Sequence, residues 1–314
     1  MTRPILGVTM GDPAGIGPEI VARACAEPAA VRTSRPVVVG AAAAMREALA
    51  LVGSPLALSA VARVADCRWE PGTLEVLDLA NVDMAALRRA EVSAQAGRAA
   101  YAYVERAVAL AQAGEIRGIV TAPINKEALA AAGVPHAGHT EILAALSGTR
   151  DFAMLLMGKD LRVIHVTTHV PLSRVPELVT RERVLRTIRL AQQALEGLGR
   201  PRGRIAVAGL NPHAGEDGLF GDEERTAIAP AIEAARAAGL AVTGPLPADT
   251  VFSRARGGEF DIVVAMYHDQ GHIPVKTLGF EYDETRKHWT GLSGVNVTVG
   301  LPFLRVSVDH GTAF

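Results

Sequence analysis

The sequence predicts an α/β protein built on mostly parallel sheets, and three observations carry that prediction. Short apolar runs alternate with alanine-rich stretches at helical spacing, the arrangement in which crossover helices cover both faces of parallel strands. One of the runs, Asp261 to Met266, is apolar without alternation, as expected of a strand buried on both sides. The chain is 314 residues long and 49% hydrophobic, so it can bury the core of one large domain or of two lobes.

Taken in order, Pro4 to Met10 is a strand that runs into Gly11-Asp-Pro-Ala-Gly-Ile-Gly-Pro-Glu19 and then an alanine-rich helix from Ile20 to about Ala30. A glycine-rich turn between strand and helix offers backbone N–H groups and the helix dipole to an anion. Gly11, Asp12, Gly15 and Gly17 are therefore candidates for binding a phosphate or a dinucleotide. The spacing matches neither G-x-G-x-x-G nor a Walker loop, so a plain strand-to-helix turn is the competing reading. Val37 to Gly40 is a second strand, Ala41 to Leu51 a helix, Leu74 to Leu77 a strand, and Ser93 to Ala113 one long amphipathic helix. Gly118 to Pro123 is a strand that ends in Asn125 and Lys126.

The texture changes at Gly133, where Val134 to Glu141 forms a loop that opens a helix with His139 or Thr140 near its start; a lobe boundary is placed there. Beyond it come a strand to His169, a helix from about Thr180 to Leu198, a strand to Leu210, a helix from about Glu223 to Ala238 and a strand at Ile262. Pro245 to Thr250 reads as a turn, and Glu281 to Gly291 as a charged, aromatic surface excursion without a useful period. Gly294 to Pro302 and Leu304 to Val308 are the last strands, and the glycine turn after them leads us to expect a terminal helix beyond Phe314.

The chemistry gathers at strand ends. Asp261 to Met266 delivers Tyr267, His268, Asp269 and Gln270 before Gly271, which is read as the turning point. Arg162 to His169 and Arg204 to His213 repeat the plan, each a strand that ends in a histidine. Ligands of open α/β sheets bind outside the carboxyl ends of strands, and three neutral imidazoles with an open position suit a catalytic divalent ion. His169, His213 and His268 are therefore candidate metal ligands, against the alternative of three buried, hydrogen-bonded histidines. His165, on the same side of its strand as His169 but deeper, is read as a core histidine.

Asp249 and Asp269 are candidate general bases, with a turn aspartate as the alternative, above all for Asp249. Lys276 and Arg305 suit a phosphate or carboxylate. Lys276, eight residues after His268, is also a candidate catalytic group, with the chain expected to turn at Gly271 and Pro274 and come back to the cleft.

A net charge of -1 leaves no basic footprint for nucleic acid or a membrane surface. No apolar window of about eighteen residues is free of charge, and the amino terminus runs into a strand without a secretory apolar region, so no membrane span and a cytoplasmic protein are expected. Cys25 and Cys67 form no C-x-x-C pair, which argues against a structural zinc or a disulfide framework.

Together the motifs resemble the 4-hydroxythreonine-4-phosphate dehydrogenase family, PdxA. The blocks that carry the likeness run in order over nearly the whole chain: MGDPAGIGPE at 10–19, TAPINKEA at 121–128, GHTE at 138–141, TTH at 167–169, NPHAGE at 211–216, GPLPADT at 244–250, MYHDQG at 266–271, GVNVTVGLPF at 294–303 and SVDHGTA at 307–313. The resemblance implies an isocitrate/isopropylmalate-dehydrogenase-like fold, with two α/β lobes around a central cleft. The first lobe would be residues 1–137 with 300–314, carrying the glycine-rich loop on the dinucleotide side, and the second 138–299.

The resemblance also implies a homodimer whose metal site is shared between subunits, NAD or NADP as hydride acceptor, and a divalent ion (Zn, Mg, Mn, Co or Ni) on His169, His213 and His268. Carried over by position, the substrate contacts fall on His139, Thr140, Lys276, Asn296 and Arg305. The implied reaction oxidises the C3 hydroxyl of a 4-phosphorylated four-carbon acid, and the 3-keto product then loses carbon dioxide. Asn125 in TAPINK and the segment Glu281 to Gly291 depart from the pyridoxine-pathway members, and they are read together with SAQAG at 93–97 and HDQGHIPVK. They are closer to the subgroup that acts on 4-phospho-D-threonate or 4-phospho-D-erythronate. The competing classes are a phosphate acyltransferase of the same superfold and a metal- or metabolite-binding protein without turnover.

Overall fold

A computed structural model describes residues 3–136, 138–158, 160–279, 281–285, 287–290, 294–308 and 311–313. The chain begins with β1 (Ile5–Thr9), α1 (Gly17–Ala26), α2 (Pro28–Thr33), β2 (Arg35–Gly40), α3 (Ala42–Leu51), β3 (Ala57–Val61) and β4 (Thr73–Asp78). It continues with α4 (Ala94–Gln112), β5 (Gly118–Thr121), α5 (Lys126–Ala131), α6 (His139–Ser147), β6 (Ala153–Met157), β7 (Arg162–His165), α7 (Val175–Leu178), α8 (Arg181–Gly197) and β8 (Ile205–Ala208). The last elements are α9 (Ala229–Ala237), β9 (Val242–Leu246), α10 (Ala248–Arg256), β10 (Ile262–Ala265), α11 (His268–Gly279), β11 (Glu281–Asp283), β12 (His288–Thr290), β13 (Val295–Val299) and β14 (Leu304–Ser307).

The first compact unit is Met1–Arg150 with Leu301–Phe314. Its strands lie in the order β3-β4-β2-β1-β5-β14, and every pair is parallel. Val37, Val38 and Val39 of β2 are all fully buried because helices cover both faces of the sheet. Side-chain caps start two of the helices: the Ser93 hydroxyl accepts from the Ala96 N–H, and the Asn125 side-chain oxygen from the Ala128 N–H at 2.9 Å. The small residues of α4 let α5 come very close. A Cβ on Gly97 would stand 1.9 Å from the Ala128 carbonyl oxygen, which is why SAQAG carries a glycine there. β3 went unread in the sequence because it is a half-exposed edge strand with no fully buried residue.

The expected boundary at 137/138 moves to Arg150/Asp151. The reason is α6, whose Ile142 and Leu143 are fully buried in the first core, so the helix that opens with His139 stays with the first unit.

The second unit is Asp151–Gly300. Its main strands lie in the order β13-β6-β7-β10-β8-β9, with β6 antiparallel to both neighbours and the rest parallel. Alternate residues of β10 face opposite layers: Ile262 and Val264 pack in one cluster with Val184, Ile188 and Ala191 of α8 and Ile232 of α9. Val263 and Ala265 pack in another with Val251 and Phe252 of α10 and Val275 of α11. This double burial explains the unbroken apolar run.

Several expectations are corrected in this unit. The strand expected to reach His169 stops at His165, where its pairing with β10 ends. Gly271 does not turn the chain; it lies inside α11, as does Pro274. Pro245 to Thr250 is not a turn but the end of β9 followed by α10, with Asp249 in that helix's first turn. Glu281 to Gly291 contains a two-stranded antiparallel ribbon, with Tyr282 paired to Trp289; Arg286 and Gly291 lie outside the described residues. Asp309 and His310 of the SVDHGTA block also lie outside them. No described helix is long and apolar enough to cross a membrane, and Cys25 and Cys67 are buried and free.

Candidate active site

In the second unit, the carboxyl ends of β7, β8 and β10 are tied together by side chains. The Thr167 hydroxyl donates to the Met266 carbonyl at 2.8 Å. Gln270 does more: its oxygen accepts from the Met266 N–H at 2.6 Å and its amide donates to the Gly209 carbonyl at 2.8 Å. One buried glutamine thus joins the ends of β10 and β8, from which the His268 and His213 segments leave. The sequence sets Gln270 among the strand-end polar residues but gives it no role of its own; its place inside MYHDQG is the available signal.

Behind this rim lies a chain of imidazoles whose hydrogen bonds fix the tautomers. His165, fully buried at the end of β7, places Nδ1 3.1 Å from the Met154 carbonyl, so Nδ1 must donate. Burial and the neighbouring His272 hold the His165 ring neutral, pushing its pKa down to about 3. Its Nε2 is therefore an acceptor, and His272 Nδ1–H donates to it at 3.2 Å and to the His268 carbonyl at 3.0 Å. Gly271 makes the approach possible, because a Cβ there would lie 2.4 Å from His165 Nε2. His165 is a core histidine, as its depth on the strand implied.

His268 opens α11 at the mouth of this chain. Its Nδ1 lies 2.6 Å from Asp269 Oδ1, and the imidazole holds the Asp269 carboxyl below the usual carboxylate range. A histidine whose Nδ1 is held by a carboxylate presents Nε2, the pattern common among metal-binding imidazoles. His169, on the exposed segment after β7, has its ring centroid 5.6 Å from that of His268. Both rings line one groove of about 370 Å³, with Asp269 and Tyr267. The donor set of this groove, imidazole beside carboxylate, suits a divalent ion.

His213 sits apart, on an exposed loop after β8 with its ring near Phe220. Among the described residues, no group of three or more His, Cys, Asp or Glu side chains is arranged to hold an ion. The structure thus brings His169 and His268 to one groove and leaves His213 on its own loop.

Asp249 and Asp269 line a second, larger groove of about 550 Å³ with Tyr267, Gln270, Ile273 and Pro274. Both aspartates are exposed. Lys276 is half-buried on α11, carried there by a helix rather than by a returning chain. Asn296 is half-buried on β13, and its side-chain oxygen is buried without a hydrogen-bond partner.

Thr140 and Arg305 belong to the first unit. Arg305, buried on β14, donates to the Thr121 hydroxyl at 2.8 Å, and burial lowers its pKa to about 10 against the pull of Glu141. His139 begins α6 and Thr140 follows it, with no side-chain cap on the helix. Burial, with the nearby Arg305 charge, pushes His139 down to about 3, and its buried Nε2 has no hydrogen-bond partner. A guanidinium, an uncapped helix start and an unpartnered imidazole nitrogen form a group that suits an anion.

The glycine-rich loop supports the turn reading. Asp12 is fully buried and its carboxylate accepts from the Ala14 N–H at 2.8 Å, while the Gly15 N–H donates to the Asp12 carbonyl. Those amides are already used, and burial raises the Asp12 carboxyl. A Cβ on Gly11 would lie 2.3 Å from the Pro123 oxygen and one on Gly17 2.5 Å from the Met10 oxygen, so both glycines serve close chain approach.

A family model described as pyridoxal phosphate biosynthetic protein PdxA matches residues 32–314. The chain belongs to the PdxA family. Among its relatives, D-threonate 4-phosphate dehydrogenase of Pectobacterium atrosepticum is 50% identical, the match covering 99% of this chain and 92% of the relative. A 4-hydroxythreonine-4-phosphate dehydrogenase of Beijerinckia indica is also 50% identical, over 98% of this chain and 88% of that protein. The crystal structure of 4-hydroxythreonine-4-phosphate dehydrogenase from Klebsiella pneumoniae superposes with a TM-score of 0.89 at 48% identity, covering 99% of this chain and 91% of the other. The PdxA blocks read in the sequence supply both grooves: TTH and MYHDQG line the smaller, GPLPADT and MYHDQG the larger.

Proposed function

We propose that this protein is a cytoplasmic NAD- or NADP-dependent dehydrogenase that oxidises the C3 hydroxyl of a 4-phosphorylated four-carbon acid, with 4-phospho-D-threonate or 4-phospho-D-erythronate favoured over 4-hydroxythreonine 4-phosphate. The observation that carries the reading is the His268–Asp269 pair, held at 2.6 Å on a groove that also contains His169. Relatives at similar identity are named for phosphorylated hydroxy acids of this kind.

His169, His213 and His268 would hold a divalent ion, completed across a homodimer, and when bound that ion supplies Lewis-acid polarisation of the substrate hydroxyl. Asp269 orients the His268 ring, which leaves Asp249 as the base that takes the hydroxyl proton while the hydride leaves C3 for the nicotinamide. The product is a 3-keto acid. It loses carbon dioxide with the electron pair of the broken C–C bond moving onto the keto group, and a proton returns to C2. Arg305 and Lys276 supply positive charge for the phosphate, and His139, Thr140 and Asn296 supply hydrogen bonds.

The test is purified protein with a divalent ion and each dinucleotide, assayed against the three phosphorylated acids. Reduction of NAD or NADP with release of carbon dioxide is expected, together with loss of bound metal in His169→Ala and His268→Ala. No reduction with any of the three acids sinks the proposal.

A further inference from the structure

The loop that carries His213 has a backbone the sequence does not explain. From His213 to Asp217, φ is 52°, 54°, 86°, 43° and 53°, a complete left-handed turn in which only Gly215 is suited to the conformation. Four strained non-glycine positions, two on each side of one glycine, do not persist unless something outside the turn imposes them. Asn211 and Phe220 bond to the turn through the backbone, and the side chain that reaches its middle is Glu224, which is 5% exposed.

Glu224 reaches the loop from the start of a short π-helical segment, Glu224–Ile228, that leads into α9. Its Oε1 accepts from the N–H groups of Leu210 and Asn211, both at 2.7 Å, and its Oε2 accepts from the Asn211 side-chain amide at 2.9 Å. The backbone closes around that carboxylate: a Cβ on Gly215 would stand 2.8 Å from Oε2, and one on Gly209 3.1 Å from Oε1. One buried carboxylate therefore fixes the exit of β8 and the Asn211 side chain, and packs against the middle of the left-handed turn at Gly215.

We infer that Glu224 is the positioning residue for His213, clamping the left-handed turn so that the imidazole is presented in one orientation to the divalent ion. This rests on the reading of His213 as an ion ligand. Glutamine cannot substitute, because all three of its partners are N–H donors and its own NH2 would have to face one of them. Groups that orient a ligand in this way are worth about ten- to a hundredfold in ion affinity.

The experiment titrates cobalt(II) into metal-depleted full-length protein and reads Kd directly. Glu224→Gln and Gly215→Ala, the latter deleting no polar group but crowding Glu224 Oε2, should each raise Kd about tenfold or more. His213→Ala is run beside them: if it binds cobalt as tightly as the unaltered protein, the ion reading falls and this inference with it. If His213→Ala loses the ion while Glu224→Gln keeps the original Kd, the inference alone is overturned. Hydrogen exchange on the unaltered protein gives a check that needs no variant. The Leu210 and Asn211 amides should exchange as slowly as those of β8, and fast exchange at both overturns the clamp.

Discussion

The imidazole of His272 lies against that of His268 with ring centroids 3.7 Å apart and planes 11° from parallel. The same ring donates its Nδ1–H to His165, so it joins the buried end of β7 to the histidine at the groove. Replacing His272 with leucine fills the space but leaves His165 Nε2 buried without its donor, at a cost of about 1–3 kcal/mol. A urea unfolding midpoint should fall accordingly. An unchanged midpoint would show that the hydrogen bond is not formed in solution.

Gly271→Ala sets two effects against each other. Alanine favours a helix interior by about 1 kcal/mol over glycine, but the added carbon would lie 2.4 Å from His165 Nε2 and 2.6 Å from Val163 Cγ1. Overpacking of this kind costs about 1–3 kcal/mol, so the variant should be less stable. A more stable Gly271→Ala protein would mean that α11 sits farther from β7 than described.

His139 makes stability depend on pH with a definite sign. Unfolded, its imidazole takes a proton near 6.5; folded, burial and Arg305 delay that to about 3. Between those values the unfolded chain binds more protons, so the contribution is complete above about pH 6.5 and is lost as pH falls towards 3. Unfolding free energies measured from pH 7 to 4 should decline less steeply in His139→Gln. Equal slopes would contradict a neutral His139 with a buried Nε2.

Lys276→Ala addresses the phosphate directly. Losing one charged partner of a desolvated anion costs about 2–5 kcal/mol, which is roughly thirtyfold or more in affinity. Substrate binding by calorimetry should weaken by that factor while metal content stays the same. Normal substrate affinity, or loss of metal instead, would remove Lys276 from the phosphate.

What was legible in the sequence follows what is local. The caps at Ser93 and Asn125 act within three residues of themselves, and the run Ile262 to Ala265 reads as a strand because both its faces are apolar. The errors arise where a distant residue decides. His169 reads as the end of a strand, yet β7 stops at His165 because its partner β10 stops at Ala265. Gly271 carries the mark of a turn, and only His165 opposite it shows that the glycine is there for close approach. The left-handed turn at His213 answers to Glu224, which no spacing rule connects to it.

β14 pairs in parallel with β5, Leu304 beside Gly118 and Ser307 beside Thr121, yet it lies in the sequence after the whole of the second unit. A ribosome releases the chain from its amino end, and domains generally fold as they emerge. Here the order of completion is inverted. The unit that emerges first must wait with one edge of β5 unpaired until residues 304–307 arrive, by which time residues 151–300 have all been released. During that interval the nascent chain carries an open strand edge of the kind that templates aggregation, and β14, translated after the second unit, is the strand that closes it.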